Sequence, residues 1–134
     1  MFNKTITVHN IIRNDNEEKL HSTVLEGVYF LKDDSVTLAS PGTVKSDVVK
    51  TIIPKKLVRT NRQYIESYKF DKLKDVEMDK YFTLRQGDFL SLGDVTGDVT
   101  SINEYRNQTG NAYSISAFVD YDFGGLPNFE VYAH

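Results

Sequence analysis

Apolar and polar positions alternate with a period of two along most of the chain, which is the signature of half-buried strands. Residues 5–12 place Ile6, Val8 and Ile12 on one face and Thr5, Thr7 and His9 on the other. A second strand is expected over residues 21–31, with Val24, Val28 and Phe30 sharing a face. Residues 35–38 and 48–53 read as further strands, the latter closed by Pro54, which has no N–H to give a ladder. Alternation returns at residues 81–84, 88–92 and 95–105, then along Tyr113, Ile115, Ala117, Val119 and Tyr121, and in a final strand at 128–133. Turn chemistry separates these pieces at residues 13–19, 33–34, Pro41-Gly42, Gln86-Gly87, 107–111 and 123–127. Residues 55–79 have the weakest pattern, with a short strand suggested at Tyr64-Ile65 and a helical turn at 68–74. Many short strands with turns between them predict one all-β domain, a small antiparallel β-barrel or sandwich.

Composition agrees with this reading. Eight Tyr and eight Phe favour a pleated sheet, and 134 residues suffice for one core without staples. The chain has no cysteine, which excludes disulfides, thiolate zinc sites and a cysteine nucleophile. A net charge of −3 argues against a nucleic-acid binder held by bulk charge. Apolar runs are too short to span a bilayer, and the N-terminus lacks the apolar region of a secretory signal, so neither is expected.

Candidate chemistry is sparse. Asp120 and Asp122 lie two apart on a strand end, a spacing that suits a hard cation, but no further oxygen ligands follow. Asp94 and Asp98 fit glycine-turn chemistry as well as they fit a metal. His9, His21 and His134 are scattered and are expected to be exposed. No nucleophile elbow, phosphate loop or dinucleotide fingerprint occurs. The expectation is a protein with no catalytic residues, no cofactor and no metal.

The most uneven charge lies at residues 45–62, where six basic residues face only Asp47, a local charge of +5. With its weak periodicity, the stretch 45–64 predicts a long projecting loop or hairpin. Lys55, Lys56, Arg59 and Arg62, interleaved with Ile52, Ile53, Leu57 and Val58, are its candidate partner-binding residues.

Three stretches, taken in order, resemble a known family. Ser22-Thr23-Val24-Leu25-Glu26-Gly27-Val28-Tyr29-Phe30 is similar to one strand of the small minor capsid, or head-completion, proteins of tailed phages and prophages. Phe82-Thr83-Leu84-Arg85-Gln86-Gly87-Asp88-Phe89-Leu90 is similar to a second of their segments, and residues 119–131 resemble their closing motif. Phe30, Phe82 and Phe129 stand where that pattern favours Trp, and Asn128 where it favours His. The resemblance implies a noncatalytic head–tail connector (a stopper) in the virion neck, assembled in the bacterial host cytoplasm. It would be a small β-barrel forming a ring of six or twelve copies under the portal. Implied partners are further copies of itself, the portal protein or an adaptor, a tail-side connector protein and, non-specifically, packaged DNA, with no membrane. A tail terminator or tail-completion protein, or a small-ligand-binding β-barrel, are the alternatives.

Overall fold

A computed structural model describes residues 2–14, 17–33, 48–97, 99–122 and 125–134. In chain order the elements are β1 (Lys4–Asn14), β2 (Glu17–Asp33), β3 (Val48–Pro54), β4 (Gln63–Tyr64), α1 (Ser67–Phe70), α2 (Asp75–Met78), β5 (Tyr81–Phe82), β6 (Phe89–Leu92), α3 (Ile102–Thr109), β7 (Tyr113–Tyr121) and β8 (Asn128–Ala133). Six of the strands pair antiparallel in the order β1-β2-β3-β8-β7-β6, and β6 pairs back onto β1 to close a barrel. Closure gives each of these six strands two neighbours. The expected strand at 35–38 lies outside the described residues.

Two strands turn the corners of the barrel, because each serves both of its sheets. The first part of β2 pairs with β1, and Tyr29–Asp33 pairs instead with β3. Just before that hand-over, opposite the register shift between Lys4 and Thr5, sits Gly27 at φ 87°, a left-handed conformation that a side chain would strain. In β7, Tyr113 and Ser114 pair with β6, and the pairing passes to β8 across a register shift between Ile115 and Ala117. A one-residue slip sends every later side chain to the opposite face. Tyr113 and Ile115 therefore point into the core, whereas Ala117 and Val119 face outward. The single face expected for residues 113–121 breaks at that bulge, and the face expected for Val24, Val28 and Phe30 breaks at Gly27: Leu25 and Val28 are buried instead.

Ile6, Val8, Leu90, Ile115 and Val131 fill the interior, with Phe82 and Phe129. Phe89 belongs to a second, smaller cluster with Ile11, Ile102 and Ala112 on the outside of the barrel wall. That cluster exists because residues 93–97 and 99–112 fold back over β1 and β6. Thr7 Oγ1 donates to the Gly93 carbonyl (2.7 Å) and accepts from the Val95 N–H (2.8 Å) to hold the segment down. Here the expected strand at 95–105 and hairpin at 107–111 are overturned by α3. Ser101 caps its first turn by accepting from the Glu104 N–H, and Gly110, at φ 70°, ends it with a bond to the Arg106 carbonyl. The Ser-Ile-Asn-Glu spacing is that of a capping box, and it outweighs the alternation of the neighbouring residues.

Residues 55–88 close the end of the barrel where β3 stops and β8 starts. Glu26 and Arg59 exchange backbone bonds of 2.9 and 2.8 Å, β4 pairs in parallel with β5, and the Tyr64 ring packs on Phe129 at 4.4 Å between centroids. The short strand at Tyr64 and the helical turn after Tyr68 match the sequence pattern. The projecting loop expected over 45–64 does not hold: residues 48–54 are a barrel strand, 55–64 are stitched to the wall, and 45–47 lie outside the described residues.

Inside the barrel the Thr51 hydroxyl is fully buried and meets no hydrogen-bond partner. Burying an unpaired hydroxyl costs about 1–3 kcal/mol. Thr51→Val, of nearly the same shape, should therefore stabilise the protein by about 1 kcal/mol, visible as a rise of several degrees in Tm; a lower Tm would mean that the hydroxyl is satisfied.

Candidate functional site

The barrel scatters the basic residues that sequence grouped together and gives most of them internal partners. Arg62 is the most committed. Its Nη1 donates to the Ser22 carbonyl (2.5 Å) and to Thr23 Oγ1 (2.9 Å), and its Nε and Nη2 donate to the carbonyl (2.9 Å) and carboxylate (2.8 Å) of Asp79. It staples the closing segment to β2. Lys55 is gripped by Asp120 and by Asp122 (3.0 Å), with its ammonium 4.8 Å from the centre of the Phe129 ring. The two aspartates that suggested a cation site thus hold a lysine. Arg59 pairs with Glu26 at 3.5 Å on the surface. Ile53 lies in the core, Val58 packs partly against it, and Ile52 is half-buried on the outer wall. Lys56 and Leu57, at the turn after β3, are exposed, as is Arg59.

A different surface gathers what that stretch does not. Along β3 the residues alternate in and out, with Val49, Thr51 and Ile53 inside and Val48, Lys50 and Ile52 outside. The register extends the outward positions into rows across four strands. One row is Leu31–Lys50–Tyr132–Ala117, and the next is Tyr29–Ile52–Glu130–Val119. Leu31 is 47% exposed, Val48 44% and Val119 40%, so three of the protein's large exposed hydrophobics share one face. At its middle Lys50 Nζ and Glu130 Oε1 stand 3.0 Å apart, and the Tyr132 hydroxyl donates to the same carboxylate. The Tyr132 bond, then Lys50, holds the Glu130 carboxyl below its usual range, and the bond to Glu130 raises Lys50. Sequence reasoning missed this face, although the doublets Val48-Val49 and Ile52-Ile53 signal a strand that is apolar on both sides.

At the barrel end a cleft of about 510 Å³ opens between Lys55, Tyr64, Glu66, Phe82, Asp120 and Phe129, with aromatic rings for a floor. Burial, with Asp120 and Glu66 nearby, raises the Tyr64 phenol.

His9 departs furthest from expectation. It is fully buried on the outer side of β1, beneath the segment that follows β6. Nδ1 is hydrogen-bonded to Ser22 Oγ (2.7 Å) and Nε2 to Ser91 Oγ (3.0 Å). The row has the outline of a nucleophile, a base and an orienting group. Burial, however, lowers the imidazole from 6.5 to about 4, too weak a base for neutral pH, and a hydroxyl stands where a carboxylate would stabilise the imidazolium. The row is a polar tie across three strands. His21 is half-buried, donates from Nε2 to the Tyr81 carbonyl (2.7 Å) and stacks obliquely on Phe70; burial lowers it too. On the other side of β1, Asn10 donates to the Thr83 carbonyl (2.7 Å) and to Asp88 (2.9 Å), and Asp88 pairs with Arg85 (2.7 Å). Burial outweighs these bonds and raises the Asp88 carboxyl.

Over its whole length, residues 1–134, the chain belongs to a family of unknown function, DUF6751. No curated protein and no solved structure matches it.

Two predictions follow the geometry. Arg62→Ala removes four hydrogen bonds from a largely buried guanidinium and should cost about 2–3 kcal/mol, against less than about 0.5 for Lys56→Ala; equal effects on chemical denaturation would disprove the staple. The second concerns acid. The unfolded imidazole of His9 binds its proton near pH 6.5 and the folded one only near 4, so stability is complete above 6.5 and falls as pH drops toward 4, by about 3 kcal/mol from this group. His21 acts in the same direction, and Asp88, whose folded carboxyl is raised, acts in the opposite one in the carboxylate range. Between pH 6.5 and 5 the parent should lose Tm steadily, and His9→Gln/His21→Gln should be nearly flat; equal slopes would refute the buried neutral imidazoles.

Proposed function

We propose that this member of the family is a noncatalytic structural protein of a tailed-phage virion, a ring-forming head–tail connector protomer that docks under the portal as a head-completion or stopper component. One observation carries the reading: a closed barrel, filled by its own side chains, presents an apolar outer wall across β2, β3, β8 and β7. Contiguous exposed apolar surface of this kind is what protein assembly uses. The stretches that resemble head-completion proteins support it from another side, because each includes part of a barrel strand. The first runs through β2 and its Gly27 corner, the second through β5, the turn at Gly87 (φ 93°) and β6, and the third through β7 and β8. In this reading the outer wall, with Leu57 and Lys56 at its edge, does the docking that a projecting basic loop was expected to do. The sites of assembly are the neck of the virion and, before it, the host cytoplasm.

A tail terminator or tail-completion protein would use the same barrel and the same ring. The cleft beside Tyr64 favours one further reading, a barrel that binds a small aromatic ligand. Native mass spectrometry of purified protein separates it, since a ligand barrel retains added mass and a connector protomer gives the bare chain.

The test of the connector reading is complementation in the parent phage. Deleting the gene should yield DNA-filled or leaking heads without tails, and Leu31→Asp/Val119→Asp should fail to rescue while melting within a few degrees of the parent. Infectious tailed particles at normal titre from the deletion would end this reading; normal rescue by the double variant would remove the outer wall from it.

A further inference from the structure

The outer wall is self-complementary. Lys50 on β3 and Glu130 on β8 are diagonal neighbours, because Lys50 pairs with Tyr132 while Glu130 pairs with Ile52. A two-fold axis lying in the plane of contact and bisecting that diagonal brings Lys50 of one copy over Glu130 of the other, and the reverse, at the same time. Two copies pressed wall to wall then set four charges in an alternating square, each flanked by opposite sign. Around the square the apolar positions meet, with Leu31, Val48, Tyr29, Ile52 and Val119 covered by their counterparts.

Strand spacing and residue rise give the area. Four strands and the two outward rows, with Val48 beyond them, cover about 20 by 20 Å, or about 400 Å² per copy and about 800 Å² in total, the size of a transient contact. Two twisted sheets packed face to face is also an ordinary arrangement for such surfaces. A pair of this size is weak and reversible.

We infer that the protein forms an isologous dimer in solution through the outer wall of β2, β3, β8 and β7, with Lys50 of each copy reaching Glu130 of the other. This rests on the wall being a docking surface, as in the connector reading, and adds the partner that covers it before assembly. In a ring whose members all point one way, a wall cannot face its own counterpart. The dimer is therefore a storage form, which hides the apolar wall until a different partner displaces the second copy.

Sedimentation velocity over micromolar to near-millimolar concentrations tests it. The parent should pass from monomer to dimer. Lys50→Glu and Glu130→Lys should each weaken pairing at least tenfold, since each sets like charges opposite one another twice. An equimolar mixture of the two variants should restore pairing, because every cross-contact then joins opposite signs. Melting curves close to the parent's exclude unfolding as the cause. A parent that stays monomeric throughout, a charge variant that pairs like the parent, or a mixture that fails to recover would each overturn the dimer. A parent that assembles directly into a closed ring would also overturn it while leaving the connector reading standing.

Discussion

β1 has no solvent face along its middle, and the architecture depends on that constraint. From Ile6 to Ile11 every residue is buried, including Thr7, His9 and Asn10. Alternate residues of a strand point to opposite sides, so both sides must be covered: one by the barrel interior, the other by the segment that returns through α3. A buried polar side chain without a partner costs more than most single contacts return. Each polar residue of β1 is accordingly tied. Thr7 holds the covering segment, His9 joins β2 to β6 through two serines, and Asn10 anchors the Thr83 backbone and Asp88.

The charges follow the same logic. Two arginines attach the closing segment to the wall. Arg62 reaches the backbone of β2, and Arg85 bonds Asp88, Asp71 (2.5 Å) and the Ile11 carbonyl (2.6 Å). Lys55 is spent on two aspartates and a phenyl ring. A guanidinium that satisfies several backbone and carboxylate oxygens at once serves cohesion, and little of its charge remains for an outside partner. On the outer wall, by contrast, apolar side chains remain outside around a central pair of opposite charges, Lys50 and Glu130.

In the connector reading proposed above, a filled barrel with one apolar wall does its work by contact. Its interior is already occupied by side chains, and its polar networks lock elements together. The wall crosses four strands, so it presents rows of side chains at fixed spacing. Such a surface accepts another sheet in defined registers, and its central ion pair selects among those registers by charge.

Sequence by itself determined the class of fold. Alternation located β1, β2, β3 and β8, Pro54 ended β3, and the turn chemistry at Gln86-Gly87 separated the later strands, because these signals depend only on side-chain period and local backbone limits. It also carried the caps of α3 in Ser101, Glu104 and Gly110, although the alternation around them points to a strand. What only the tertiary structure decided is which side of each strand is inside. The corner at Gly27 and the shift after Ile115 reverse the facing partway along β2 and β7, so Leu25 is buried and Val119 is not. Likewise His9 lies on a face that reads as polar, and it is buried because a segment more than eighty residues away folds over it, near Ser91. The basic stretch shows the same limit: its residues are neighbours in sequence, but closure of the barrel gives Lys55 to β7 and Arg62 to β2. Period and propensity act over a few residues, whereas facing, cover and charge pairing are set by whatever closure brings alongside.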